Sequence, residues 1–260
     1  MIFALTIPLG LLIGALLNVL ADDLPARRAP SLPACQHCGQ LHPPHYWLAT
    51  LAYFFGGKCV HCGAPLRLRH VALELASVIA LTYLGLRFGP TEQFIYKAVI
   101  VEILLLVTVI DLEHRLILRV VIYPAWVVAL IVGLLDPARG LSKTLVGGAV
   151  GFGVTFVIYL VAGPLMHLLA RLRGQTLDEV PFGWGDVNLS AFVGLAVGWT
   201  GIVPALFLAI LSGGVGGLIF LLVMAVRRKA TLFMVMPYGP YLALGGLVIL
   251  VWGKDLAAWI

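Results

Sequence analysis

Charge is scarce in this sequence. Of its 260 residues only 11% are Asp, Glu, Lys or Arg, while 61% are hydrophobic; soluble domains carry roughly 25% charged residues. That shortage excludes a water-soluble globular protein and predicts a polytopic membrane protein with small parts outside the lipid. Low-complexity tracts and internal repeats are missing as well, so neither a disordered chain nor a repeat array is expected. Basic residues outnumber acidic ones, 17 to 12, but they form no clustered cationic stripe, and nucleic-acid binding is not expected. Cysteine is also rare. The only four, Cys35, Cys38, Cys59 and Cys62, fall in one polar loop.

Those four are arranged as two C-x-x-C pairs, Cys-Gln-His-Cys-Gly and Cys-Val-His-Cys-Gly, separated by 20 residues. This spacing reads as a tetrathiolate zinc site. Gly39 and Gly63 follow the pairs, where a tight turn around a metal calls for positive φ. Five of the seven histidines share the loop (His37, His42, His45, His61 and His70). Four thiolates already close a structural site, so histidine ligation is not expected.

Eight apolar stretches read as helices: about 1–20, 71–88, 93–110, 117–135, 144–170, 187–200, 201–226 and 238–253. A span needs about 20 residues. The first stretch lacks a basic start and is longer than a signal core, so it reads as a span and not as a cleaved signal. Glycine is plentiful, at 29 residues, and its spacing around 147–153 and 213–217 fits close helix packing. With the N-terminus outside, the inner loops hold twelve of the seventeen Lys and Arg and the outer loops five. The positive-inside rule therefore places the cysteine loop in the cytosol, where thiols stay reduced and available to metal. The expected organisation is a first transmembrane helix over 1–20, a cytosolic zinc-binding loop over 21–70, and a seven-helix membrane domain over 71–260. Arg227, Arg228 and Lys229 are expected only to orient the last loop, with weak attraction for anionic lipid.

With only twelve acids, each position is informative, because an ionisable group in or beside a span is costly. Asp111 closes the third stretch in Val-Ile-Asp-Leu-Glu-His-Arg, and Asp186 opens the sixth in Phe-Gly-Trp-Gly-Asp-Val-Asn-Leu. The charge count puts both at the cytosolic interface. Two carboxylates sharing a proton can divide base and acid roles in peptide hydrolysis, and Gly183 and Gly185 would let a substrate backbone come close. The plainer reading is a helix-start aspartate at 186, favoured by the macrodipole, and a solvated acid at 111. A different class, a transporter using the acids as a cation or proton site, would need a midplane pair and broken helices. Glu102 precedes Asp111 by nine residues, about 13 Å along a helix, too far to join the pair.

The motif around Asp186 resembles the glycine-x-glycine-aspartate signature of the type IV prepilin peptidases, which are intramembrane aspartic proteases. Val-Ile-Asp-Leu-Glu-His resembles the segment of that family's first catalytic aspartate. Met236-Pro237-Tyr238-Gly239-Pro240-Tyr241-Leu242-Ala243-Leu244-Gly245 looks like its last span, and Gly10 to Gly14 with Leu17-Asn18-Val19 looks like its first. The resemblance covers most of the chain in the expected order. It implies a bacterial inner-membrane enzyme with Asp111 and Asp186 as the catalytic dyad. It also implies a prepilin or pseudopilin substrate with a short basic leader, a Gly before the cut and a hydrophobic helix after it. Gly183, Gly185 and Asn188 would then lie against the substrate. Asn188 stands where the family often has Lys, and Glu113 where it often has a second Asp. Two-function members also methylate the new N-terminus from S-adenosylmethionine and carry an acid and an amide in the loop; here Leu41-His42-Pro43-Pro44 takes that place. Arg69, Glu74 and Leu75 keep part of the following family segment, while His70 and Val71 depart from it. Weak or absent methylation beside intact cleavage is expected, with Glu74 the remaining acid placed to hold the amine.

Overall fold

The computed structural model describes residues 2–136, 139–172, 182–226 and 237–257. Arg173, Met236 and the 227–229 basic cluster lie outside the described residues. Within the described residues the chain is helical and has no strand. The elements are α1 (Ile2–Asp23), a 3-10 turn (Pro44–Tyr46), α2 (Ala49–Phe54), α3 (Leu68–Phe88), α4 (Glu92–His114), α5 (Arg119–Leu135), α6 (Gly140–Leu172), α7 (Trp184–Val197), α8 (Trp199–Val226) and α9 (Gly239–Ala257). Each of the eight apolar stretches is one of these helices, and the short α2 inside the loop is additional. Boundaries shift by up to four residues, and α7 both starts and ends three residues earlier than expected. Gly198 ends it by adopting φ +78°, a value that L side chains rarely accept. By length and composition α1, α3, α6 and α8 are long and apolar enough to cross a membrane, and α5 and α7 are shorter apolar helices.

The chain forms two compact units, Met1–His114 and Arg115–Ile260. The cysteine loop is therefore part of one unit with α1, α3 and α4. In that unit α1 lies along α3 at glycine contacts. A Cβ on Gly10 would sit 2.6 Å from Val78 Cα, and one on Gly14 would sit 2.6 Å from Glu74 Cα. Helix α4 packs on α3, and the buried Glu102 receives a hydrogen bond from Ser77 Oγ at 2.9 Å, the polar partner that sequence alone does not name.

In the second unit α7 is the central element and touches α5, α6, α8 and α9. Its residues from Val187 to Ala196 are all buried. The contact with α6 is made at backbone distance. A Cβ on Gly194 would sit 2.1 Å from Gly147 O, and one on Gly151 would sit 2.4 Å from Ser190 O; Ser190 Oγ donates to that same Gly151 carbonyl at 2.9 Å. At the other end Arg139 donates to the carbonyls of Ala196 and Leu195 while bonded to Asp136. It thereby satisfies acceptors that the last turn of α7 leaves without intrahelical partners. Gly213 and Gly216 leave room for the rings of Tyr238 and Tyr241, whereas Gly153 meets nothing within 4 Å. The glycine-rich segments thus serve packing. Gly194→Ala is expected to destabilise the unit by about 1–3 kcal/mol, the usual cost of overpacking. Gly153→Ala is expected to be neutral or slightly stabilising. Thermal unfolding of the two variants in detergent separates these outcomes.

Candidate active site

Asp186 is held by its own helix start. Gly183 is the residue before the first turn of α7, with φ −97° and ψ 161°, and its N–H donates to Asp186 Oδ2 at 2.9 Å. This is the return half of a capping box, and it satisfies a backbone donor that the helix cannot. The carboxylate also lies where the helix macrodipole favours negative charge. Gly185 is required by packing, since a Cβ there would lie 2.8 Å from Ile117 Cβ; at Gly183 the nearest atom would be 3.6 Å away. Asn188 is buried. Its Nδ2 donates to Trp184 O at 2.8 Å, and its own carbonyl accepts from Trp126 Nε1 at 3.0 Å. Its side chain thus braces the turn that carries Asp186.

Trp184, in the same turn, is fixed edge-on by Phe152, Phe156 and Tyr159 of α6, with ring centroids 5.9, 6.0 and 5.9 Å away. Phe182 packs its ring 5.6 Å from that of Tyr238. The last-span signature residue therefore meets the segment that leads into α7. Asp111 belongs to the first unit. It is buried, at 5% exposure, three residues before the end of α4. Burial of this degree contradicts the plainer expectation of a solvated loop acid, because the helix runs on past Asp111 to His114.

The end of α4 is tied to its neighbours by a group that sequence reasoning did not assemble. Arg69, in the first turn of α3, donates to Glu113 Oε1 at 3.1 Å, to Asn18 Oδ1 at 3.0 Å and to Asp22 Oδ1. His70 Nε2 lies 2.9 Å from Asp22 Oδ2, and Asn18 Nδ2 donates to the His70 carbonyl at 2.9 Å. A signal was available: Asn18 and Asp22 are polar residues near the end of an apolar helix, where unpaired groups are costly. His114, by contrast, is half exposed and 4.0 Å from Glu113 Oε2, in keeping with a solvated surface group.

The four cysteines come together as expected. Their Sγ atoms all lie within 4.8 Å of one another, with Cys35 to Cys62 at 3.7 Å and Cys38 to Cys59 at 3.9 Å. These distances are far beyond the roughly 2.05 Å of a disulfide. Gly39 and Gly63 adopt φ +71° and +69°, and each donates its N–H back to the first cysteine of its pair, at 2.8 and 2.9 Å. Backbone N–H groups of Cys62 and His61 hold the Cys59 thiol down to about 6, toward the thiolate form that binds metal. The tetrad can hold a metal ion, and no histidine is in it. Burial, with the charges of His61 and His70, pushes His42 down from its ordinary value.

The loop is anchored by buried acids. Glu74, fully buried on α3, accepts from the N–H of Ala49 at 2.6 Å and from Thr50 N and Oγ1 at 2.7 and 2.6 Å, and so caps the start of α2 from a distant segment. Asp23 accepts from Ser31 N at 2.9 Å and Oγ at 3.0 Å. This corrects the expectation that Glu74 stands ready to hold an incoming amine: both of its oxygens are committed to α2. A cavity of about 1100 Å³ lies under the loop, lined among others by Asp22, His42, Trp47, His70 and His114. Metal analysis is expected to find about one ion per chain. Losing it in a Cys35→Ser, Cys59→Ser double variant should raise hydrogen exchange across residues 33–66, since so short a loop has little apolar core of its own. Unchanged exchange in the metal-free variant would contradict this.

Comparison with known proteins identifies relatives of this chain. Residues 98–219 match the type IV leader peptidase family, and residues 9–88 match the bacterial peptidase A24 N-terminal domain. The chain is 30% identical to a protein of Stutzerimonas stutzeri and 29% identical to one of Pseudomonas aeruginosa, in each case over 96% of this chain and 90% of the relative. A Legionella pneumophila protein is 26% identical over 86% of this chain and 74% of its own length. All three are called prepilin leader peptidase/N-methyltransferase. No solved structure matches the chain.

Proposed function

The chain belongs to the type IV leader peptidase family, and from that premise we propose that it cleaves the leader of prepilin-like precursors with Asp111 and Asp186 as its catalytic pair. One observation carries the assignment of the pair. The segment matching the peptidase model, residues 98–219, contains both aspartates, one buried near the end of a helix and one capped at the start of another. In the proposed reaction one carboxylate takes a proton from water as the water oxygen bonds to the scissile carbonyl carbon. The other, protonated, gives its proton to the carbonyl oxygen. Collapse of the tetrahedral intermediate breaks the C–N bond, and the amine leaves with a proton from the pair. The turn from Gly183 to Asn188, braced by Trp184 and the Asn188 amide, forms the wall against which the substrate backbone lies.

The substrate's hydrophobic helix lies in the bilayer and its basic leader in the cytosol. We place the enzyme in the bacterial inner membrane with its N-terminus outside and the cysteine loop inside, as the positive-inside count favours. Zinc is the ion that suits the tetrad. Thiolates at about 2.3 Å from a tetrahedral zinc lie about 3.8 Å apart, close to the 3.7 and 3.9 Å found here. Its role is structural. Methylation is proposed to be weak beside cleavage. A nucleoside-sized donor such as S-adenosylmethionine fits the volume of the loop cavity, but Asp22, Asp23 and Glu74 are each bound to protein partners, and none is placed to receive the amine.

Asp111→Asn and Asp186→Asn are each expected to abolish cleavage of a prepilin substrate while the protein inserts and purifies normally. An amide keeps the shape of the carboxylate but cannot exchange the proton. Full activity in either purified variant removes the aspartic-protease mechanism. In a reaction containing enzyme, precursor and labelled S-adenosylmethionine, mass spectrometry of the new N-terminus should show cleaved product with little added methyl. Methylation keeping pace with cleavage would show that the loop needs no carboxylate to hold the amine.

A further inference from the structure

Arg69 bonds to three other side chains on two different helices. Its guanidinium joins Asn18 and Asp22 on α1 to Glu113 on α4, from the first turn of α3. The arrangement uses the fork of the guanidinium: Nε, Nη1 and Nη2 each serve a different acceptor, which a lysine ammonium on a flexible stem cannot reproduce. The group is largely shielded, with the Arg69, Asp22 and Glu113 side chains 15%, 20% and 28% exposed. Its bonds are therefore screened less than those of a surface pair.

The position of Glu113 gives this clamp a consequence. Glu113 lies two residues after Asp111, in the closing turn of α4, and Arg115 just beyond the helix has φ +54°, so the helix cannot continue. A closing turn lacks intrahelical partners for its last carbonyls and frays unless a side chain ties it down. We propose that Arg69 is a positioning residue of the peptidase, fixing the closing turn of α4 and with it the Asp111 carboxylate. The inference rests on the reading of Asp111 as a member of the catalytic pair. Arg69 does not touch the reacting atoms. It acts by keeping the carboxylate within the small displacement that proton transfer tolerates, where an error of about 1 Å can cost on the order of 100-fold in rate.

The test measures turnover and KM on a prepilin substrate, per molecule of folded enzyme. Arg69→Ala should lower kcat at least ~10-fold and leave KM within about three-fold, because ground-state binding of the leader and helix does not pass through Arg69. Added guanidinium ion should restore part of the lost kcat, and urea at the same concentration should not. Glu113→Gln is partly exposed and should fold normally; it should lower kcat in the same direction. The Arg69→Ala, Glu113→Gln double variant should be no slower than Arg69→Ala alone, since both remove one interaction. Wild-type kcat per folded molecule in both single variants, with only a lowered melting temperature, would make the clamp a structural staple and overturn the proposal. If Arg69→Ala fails to fold, Glu113→Gln decides alone: unchanged kcat overturns the proposal, and reduced kcat with unchanged KM supports it. Asp111→Asn measured alongside separates the two readings. If it is inactive while the Arg69 and Glu113 variants keep full kcat, only this inference fails. If it is active, the catalytic pair fails, and this inference with it.

Discussion

Hydrocarbon offers a buried carboxylate, amide or hydroxyl no hydrogen bond, so each one inside a helix of this chain needs a partner from the protein itself. That requirement explains most of the connections in the first unit. Glu74 is fully buried on α3 and stable there because it receives three donors from the start of α2. Asp23 ends α1 and receives two from Ser31. Glu102 takes the Ser77 hydroxyl. The acids that look like chemical candidates in a list of twelve are therefore largely attachments, and the metal loop is fastened to its helices through two of them. Removing one partner of such a pair costs more than the bond itself is worth, because the group left behind is buried and unpaired.

In the second unit the same medium imposes a different solution. Between helices in lipid there is little hydrophobic driving force, so close van der Waals contact supplies the attraction. Gly147, Gly151 and Gly194 bring the α6 and α7 backbones together closely enough that any side chain would overlap a carbonyl. The result is a short helix, buried from Val187 to Ala196, whose first turn is held by the Gly183 N–H and an aromatic clamp, and whose last turn is held by Arg139. Asp186 sits at the start of this tightly packed element, where the bond from the Gly183 N–H holds its carboxylate in place.

What sequence could and could not convey follows from the range of the forces. The cysteine tetrad was legible because ligand spacing and the following glycines are local. The eight apolar helices were legible because sustained apolar runs at this composition have no other reading, even where, as in α7, the run is shorter than a span. The Asp186 turn was legible because its cap is three residues away. Helix α2 was missed: it is six residues long, and its cap is Glu74, 25 residues from Ala49. The Arg69 clamp joins residues 51, 47 and 44 positions apart, and no periodicity encodes that. The fold also uses the Asn188 amide to hold the Trp184 carbonyl, a bond that the motif resemblance did not convey.

The position of the acids along their helices also separates hydrolysis from transport. A proton or cation site in a transporter is built at the middle of the membrane from interrupted helices. Among the described residues the acid near the middle of a long helix is Glu102, eleven residues into a helix of 23, and it is bonded to Ser77 on an unbroken α3. Asp111 and Asp186 lie instead in the last and first turns of their helices. A peptide bond just before a transmembrane helix lies where the chain passes from lipid to water, and water is there to attack it. Acids at helix ends suit a substrate of that form, a leader followed by a hydrophobic helix, better than they suit a midplane ion site.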